Sequence, residues 1–218
     1  MTTSLPTGRE VCELHDACLR EPRWPAREAS ESRGPLWRWI ETNHLFNSRL
    51  WAEEDLARRT QVRDSEIAAN KRAIDGFNQA RNDATERVDE LLLTALGLVD
   101  ADSARTDAPV ATVAAGARLN SETAGSMIDR LSIIALKVDA MRRQTERADA
   151  SAAHIEASRA KLQRLVEQRG DLASCLDALL DDARSGRAYF KVYRQFKMYN
   201  DPDFNPALVA ERARNPGA

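Results

Sequence analysis

A chain of 218 residues, 43% apolar and 30% charged with few glycines and prolines, has material for one sizeable core and the composition of an ordered helical protein. Its 32 lysines and arginines stand against 34 aspartates and glutamates, which excludes both the basic excess of a nucleic-acid binder and a strongly acidic surface. The longest apolar stretch, residues 91–99, is far short of a membrane span, the N-terminus lacks the basic and apolar regions of a leader, and Cys12, Cys18 and Cys175 show no C-x-x-C spacing. The expectation is a cytoplasmic protein without nucleic-acid or membrane partners.

Residues 1–34 read as an N-terminal extension, with a short helix over Arg9 to Leu19 and an exposed Pro-, Arg-, Glu- and Ser-rich connection from Glu21 to Pro35. From Leu36 the pattern turns helical. Trp39, Phe46, Leu50 and Ala57 form an apolar strip, and beside it run Ile40, His44, Asn47, Trp51, Glu54, Asp55 and Arg58. This second strip places an indole, an imidazole, an amide, two carboxylates and a guanidinium along about four turns, so it is the candidate wall of a polar pocket. The next helix restarts near Val62 to Ser65 and runs to about Leu96, before Gly97. Its core side is Ile67, Ile74, Phe77, Ala80, Ala84, Val88, Leu91 and Leu92. On its flank Lys71, Asp75, Asn78 and Asn82, with Arg81 beside them, read as i,i+4 pairs on a solvated face.

Periodicity lapses over residues 98–118, which form a loop or strap between two halves. The chain is organised around the next segment, Leu119 to Lys137. Asn120, Ser121 and Thr123 are candidate N-caps, Glu122 suits the helix dipole, Gly125 permits close backbone approach, and the free N–H groups of such a start could hold a phosphate or carboxylate. Met127, Ile128, Leu131, Ile134, Ala135, Val138 and Met141 form one broad apolar face, while Ile133 and Leu136 lie opposite, between Asp129, Ser132 and Lys137. A helix apolar on two sides is covered on two sides. Asp129 and Arg130 are then expected to find partners on the first two long helices, among Arg58, Lys71, Arg81, Glu54, Asp55 and Asp75, because a buried unpaired charge costs several kcal/mol. A turn near Arg147 to Ser151 leads into a second long helix, striped by Ile155, Leu162, Leu165, Leu172, Leu176 and Leu179 and ending at Ser185-Gly186.

In the segment from Arg187 to Asn200, Arg187, Lys191 and Arg194 recur at i, i+4 and i+7, and so do Tyr189, Tyr193 and Phe196. That spacing predicts either a short amphipathic helix docked by its aromatics or a basic aromatic grip for a phosphate. Residues 201–218 form a polar tail.

The stretch N-S-E-T-A-G-S-M-I-D-R-L-S-I-I-A-L-K, 120 to 137, resembles the signature N-S-E-T-x-G-S-x-I-D-R-L-S-I-x-x-L-K of an uncharacterised bacterial domain family. The likeness continues in H-L-F-N-S-R-L-W-A-E-E-D-L-A-R-R (44 to 59), K-R-A-I-D-G-F-N-Q-A-R-N-D (71 to 83) and Y-R-Q-F-K-M-Y-N-D-P (193 to 202), and so covers most of residues 36 to 206. Ala124 stands where the family pattern has proline, which leaves the turn into the helix less rigid. The resemblance implies a setting beside glycosyltransferases of the cell envelope, and no reaction.

The chain lacks the phosphate-binding, dinucleotide, nucleophile-elbow and H-E-x-x-H motifs. Glu41 and His44 form an E-x-x-H pair, but a di-metal carboxylate bundle needs a second one, and His15, His44 and His154 are too scattered for zinc, so no metal site is expected. Architecture follows from helix counting: an all-α antiparallel bundle of four long helices, two hairpins joined by a longer crossover loop, with short N- and C-terminal helices and one domain over residues 35–200. Two functions fit it. In the first, His44, Asn47, Trp51, Glu54, Asp55 and Arg58 meet Asp129 and Arg130 across the interior and bind an anionic small molecule such as a sugar phosphate or nucleotide sugar, the acids orienting the arginines or bridging through a divalent ion. In the second, the charges pair internally and an exposed face recruits a partner enzyme or a second copy of the chain. No cofactor or catalytic group is assigned.

Overall fold

The computed structural model describes residues 5–196, 198 and 201–214. Among these are the helices α1 (Gly8–Arg20), α2 (Pro35–Leu56), α3 (Asp64–Ala95), α4 (Ala124–Thr145), α5 (Ala152–Arg184) and α6 (Pro206–Arg214), with a 3-10 turn at Ser103–Arg105. The remaining regular structure is a parallel pair of two-residue strands, β1 (Arg118–Leu119) and β2 (Ala188–Tyr189). The protein is therefore all-α, with a minimal strand pair where no sheet was expected.

The helix starts follow from local chemistry. Thr7 caps α1, its hydroxyl accepting from the Glu10 amide at 3.2 Å while the Glu10 carboxylate accepts from the Thr7 amide at 2.9 Å. Of the three candidate caps before α4, Thr123 serves, its hydroxyl accepting from the Ser126 amide at 3.1 Å. The N-terminus of α4 is also where two helices cross closely. A Cβ on Gly125 would lie 2.6 Å from the Thr85 carbonyl oxygen, so only glycine fits against α3 there. The Gly125 amide donates to Asp89 of α3 at 2.6 Å, and this carboxylate occupies the anion position expected at the helix start.

Long-range side-chain pairs set the directions. Asn43 meets Thr85, Phe46 meets Phe77 and Glu53 meets Asn70, so α2 and α3 run antiparallel. α4 packs against α1, α2, α3 and α5, which makes it the central helix. Met127, Ile128, Leu131, Ala135 and Val138 are buried, joined in the core by Val11 of α1, Leu92 of α3 and Leu176 of α5. The first helix is thus part of the packed body: α1 touches α2, α4 and α5, and the Gly8 amide donates to Asp177 at 2.7 Å.

Residues 187–196 form no helix. The segment is extended, with the Arg118 amide donating to Arg187 O at 2.9 Å and the Asn120 amide to Tyr189 O at 2.8 Å. Ala188, Phe190 and Val192 point inward and are buried. Alternation with period two therefore prevailed over the i, i+4, i+7 spacing of the cations and rings. Arg194 is no phosphate grip: its guanidinium donates to Glu86 at 3.0 Å, to Glu90 at 2.6 Å and to the carbonyls of Ala104 and Thr106 at 2.8 and 3.0 Å. Arg187 pairs with Asp182, whereas Lys197, Tyr199 and Asn200 lie outside the described residues. The short C-terminal helix forms further on, as α6, and none of its residues is buried.

Candidate functional site

Between α2, α3 and α4 lies an open cleft of about 290 Å³. α2 contributes Asn47, Leu50, Trp51, Glu54, Asp55 and Arg58; α3 contributes Asn78 and Arg81; α4 contributes Ile133 and Leu136. The second apolar face of α4 thus lines a cavity where a covering helix was expected.

The polar floor is built by i,i+3 and i,i+4 spacing on facing helices. Asn43 and Asn47 of α2 point together at α4, and their side-chain amides donate to the same Asp129 oxygen at 2.8 and 2.9 Å. Asn47 also donates to the Ser132 hydroxyl at 3.0 Å, and that hydroxyl lies 2.8 Å from His44 Nδ1. From α3 comes Arg81, with Nε 3.9 Å from the same Asp129 oxygen and the other end of its fork donating to Asn82 at 3.1 Å. The Arg81 side chain is 26% exposed, and Nε has no hydrogen-bond partner among the described residues. Nearer the rim Arg58 donates to Glu54 at 2.9 Å in an exposed pair, while Trp51 keeps 36% of its surface open.

Five of the eight residues expected at the site, Asn47, Trp51, Glu54, Asp55 and Arg58, therefore share one cleft. Asp129 sits behind it and orients Asn47 and Arg81. His44 does not line it: the ring is fully buried beneath, stacked on His15 at 4.4 Å between centroids and on Trp24 at 5.3 Å. Burial, with the nearby Arg169 charge adding to it, pushes His44 down to about 3, so it is neutral at physiological pH and supplies no titratable donor. Arg130 is the clear correction. It is exposed on α4 and pairs with Glu122, just before the same helix, so it takes no partner from α2 or α3. One step of about 100° from Asp129 carries it off the buried face. Of the remaining charges named as its partners, Lys71 pairs with Asp75 on the surface.

The i,i+4 spacing puts Arg81 and Asn78 on a solvated flank, yet Arg81 lies four residues after Phe77 and seven after Ile74, on the stripe that α3 buries. That spacing was the available signal. Asn43, four residues before Asn47, carried a similar one. Among the described residues no group of three or more His, Cys, Asp or Glu side chains is placed to hold a metal ion, and no helix is long and apolar enough to cross a membrane.

Compared with known proteins, residues 37–192 match a family model described as protein of unknown function (DUF4254). No curated protein and no solved structure matches the chain.

Proposed function

We propose, for a chain that belongs to the DUF4254 family of proteins of unknown function, that the cleft between α2, α3 and α4 binds a small anionic molecule of the sugar-phosphate or nucleotide-sugar class. The observation that carries this reading is Arg81: a largely buried arginine side chain on the cleft wall whose nearest carboxylate among the described residues is Asp129, in a loose ion pair at 3.9 Å. Such a fork is a ready partner for phosphate oxygens. Asn47 and Asn78 add amide donors, Trp51 a flat apolar surface, and Glu54 and Asp55 acceptors for hydroxyl groups. The architecture behind this reading is an antiparallel bundle of four long helices built from two hairpins. The free thiols of Cys12, Cys18 and Cys175 favour the cytoplasm as its setting.

The test is a thermal-shift screen of the full chain with inorganic phosphate, sugar phosphates and nucleotide sugars. A ligand at one hundred times its Kd stabilises the folded state by about 2.7 kcal/mol, enough to move the melting temperature by degrees. Arg81→Ala is expected to abolish the shift, and Arg130→Ala to leave it intact. Absence of any shift in the parent protein, or an unchanged shift in Arg81→Ala, rejects this reading.

A second reading, a non-catalytic module that recruits a partner enzyme such as a glycosyltransferase, is favoured by one observation. Phe196, Met198 and Phe204 near the C-terminus are each more than half exposed. Under this reading the metabolite screen gives no shift, and replacing the three by serine weakens binding to the partner.

A further inference from the structure

The cleft does not end at Trp51. A second hollow of about 400 Å³ shares Trp51, Asp55 and Leu136 with it and continues along α2 and α4 to Trp24, Asp139, Ala140 and Gln144. Trp51 is therefore a partition between two adjoining spaces, not the end wall of one.

The two halves differ in chemistry. At the first, Arg81 is paired with Asp129 only loosely, at 3.9 Å, and has no carboxylate within hydrogen-bond distance among the described residues. At the second, the cation is Arg143, and it is engaged by Asp139 at 2.8 Å on the same helix. An anion entering the groove thus finds its open partner only in the first half. The second half offers carboxylate oxygens on Asp55 and the Asp139 oxygen not bonded to Arg143, with the Gln144 amide, whose oxygen already accepts from Arg147 at 3.3 Å, presenting its NH2 group, beside the Trp51 ring and the edge of Trp24, whose indole N–H is fixed on Ser48 at 2.9 Å. Acceptors grouped around an indole suit a polyhydroxylated ring, which presents hydroxyl donors at its edge and C–H groups on its face. Singly the two volumes are at or near the lower end of the range of small-molecule sites, and joined they suit a ligand of two chemically distinct parts.

We infer that the groove holds a sugar phosphate lengthwise, with the phosphate at Arg81 and the sugar ring beyond Trp51 against Asp139 and Gln144. The inference rests on the proposed anion site and adds to it the second hollow, the place of the sugar ring in it and the choice of a sugar phosphate over a nucleotide sugar.

Calorimetric titration of the full chain with inorganic phosphate, a panel of hexose 1-phosphates, the corresponding nucleotide sugars and the free hexoses tests it. At least one hexose phosphate is expected to bind about tenfold or more tighter than phosphate, a difference of about 1.4 kcal/mol. Ala140→Trp, which fills the second hollow, and Gln144→Ala, which removes a single amide, are each expected to shrink that advantage while leaving phosphate affinity unchanged. Arg81→Ala is expected to weaken both. If phosphate binds and no hexose phosphate improves on it, or if neither second-hollow variant alters the advantage, the inference fails and the anion site stands. A nucleotide sugar that outbinds every hexose phosphate also overturns it. If neither phosphate nor any sugar phosphate binds the parent protein, the anion site fails first. Far-ultraviolet circular dichroism of each variant confirms that the helices persist.

Discussion

Inside the core, His15 and His44 titrate in the opposite sense to Asp89. Both histidines are fully buried, and burial holds their pKa values down, to about 3 for His44 and well below 6.5 for His15, with the Arg169 charge adding to it at both and the His44 ring adding to it at His15. Below pH 6.5 the unfolded chain takes up protons that the folded chain refuses, so stability that is complete above 6.5 is lost as the pH falls toward 3. For Asp89 burial raises the pKa to about 7, against the pull of the Thr123 hydroxyl and the Gly125 amide. Its contribution is full below 3.8 and is lost as the pH rises through 7, so it partly offsets the histidines on acidification. Two refusing groups outweigh one accepting group. The urea midpoint is therefore expected to fall between pH 6.5 and 4, and to fall more steeply in Asp89→Asn; a flat profile, or a shallower one in the variant, contradicts this assignment. None of the three groups is marked in the sequence by anything beyond helical spacing. A histidine four residues after Ile40 reads equally well as a pocket wall or as a buried stacking partner, and only the position of His15 on α1 decides between them.

At the scale of elements, the long helices were legible because apolar stripes ran over more than twenty residues in each, although the central one starts at Ala124, and Leu119, read as its beginning, lies in β1. The strap over residues 187–196 was not, because it is short and carries two periodicities at once. Helical spacing relates its cations and tyrosines, whereas alternation relates Ala188, Phe190 and Val192. The buried apolar set determined the conformation, since burying Phe190 and Val192 stabilises by about 1.5 to 3 kcal/mol each. What anchors the end of the strap is Arg194, which joins α3 through Glu86 and Glu90 to the loop carbonyls of Ala104 and Thr106. Removing one member of a mostly buried charge cluster leaves the others uncompensated, so Arg194→Ala is expected to destabilise the fold by about 3 kcal/mol. Arg194→Lys is expected to recover little, because an ammonium cannot serve two carboxylates and two carbonyls in the geometry of the planar fork. Equilibrium urea unfolding of the three proteins measures both effects, and a loss under 1 kcal/mol in the alanine variant would remove Arg194 from this role.

Across the whole molecule, the site was legible to the extent that one helix face could be followed along α2. Asn47, Trp51, Glu54, Asp55 and Arg58 come to a common cleft because they share that face, whereas the wall supplied by Arg81 and Asn78 depends on how α3 is rotated against it, which no single helix encodes. Burial is also uneven along the chain. α5 has 33 residues and is about 50 Å long, yet before Arg169 its only buried residue is Ser158, while Leu172, Leu176, Leu179, Leu180 and Ala183 are buried after it. On α4 the last buried residue is Val138, so the two helices continue toward their turn with little beyond each other to pack against. Few buried contacts mean a low free energy of local opening. In native-state hydrogen exchange, amides over 152–166 are therefore expected to exchange through local opening, well before those over 172–183, which wait for global unfolding. The second hollow lies on the later turns of α4, with Asp139, Ala140 and Gln144, so a ligand bridging the groove should slow exchange over 139–145 and, through the contact of α4 with α5, over 152–166. Equal protection along all of α5 in the free protein would show that the hairpin end is held by contacts that side-chain burial does not reveal, and would remove the reason to expect a ligand to order it.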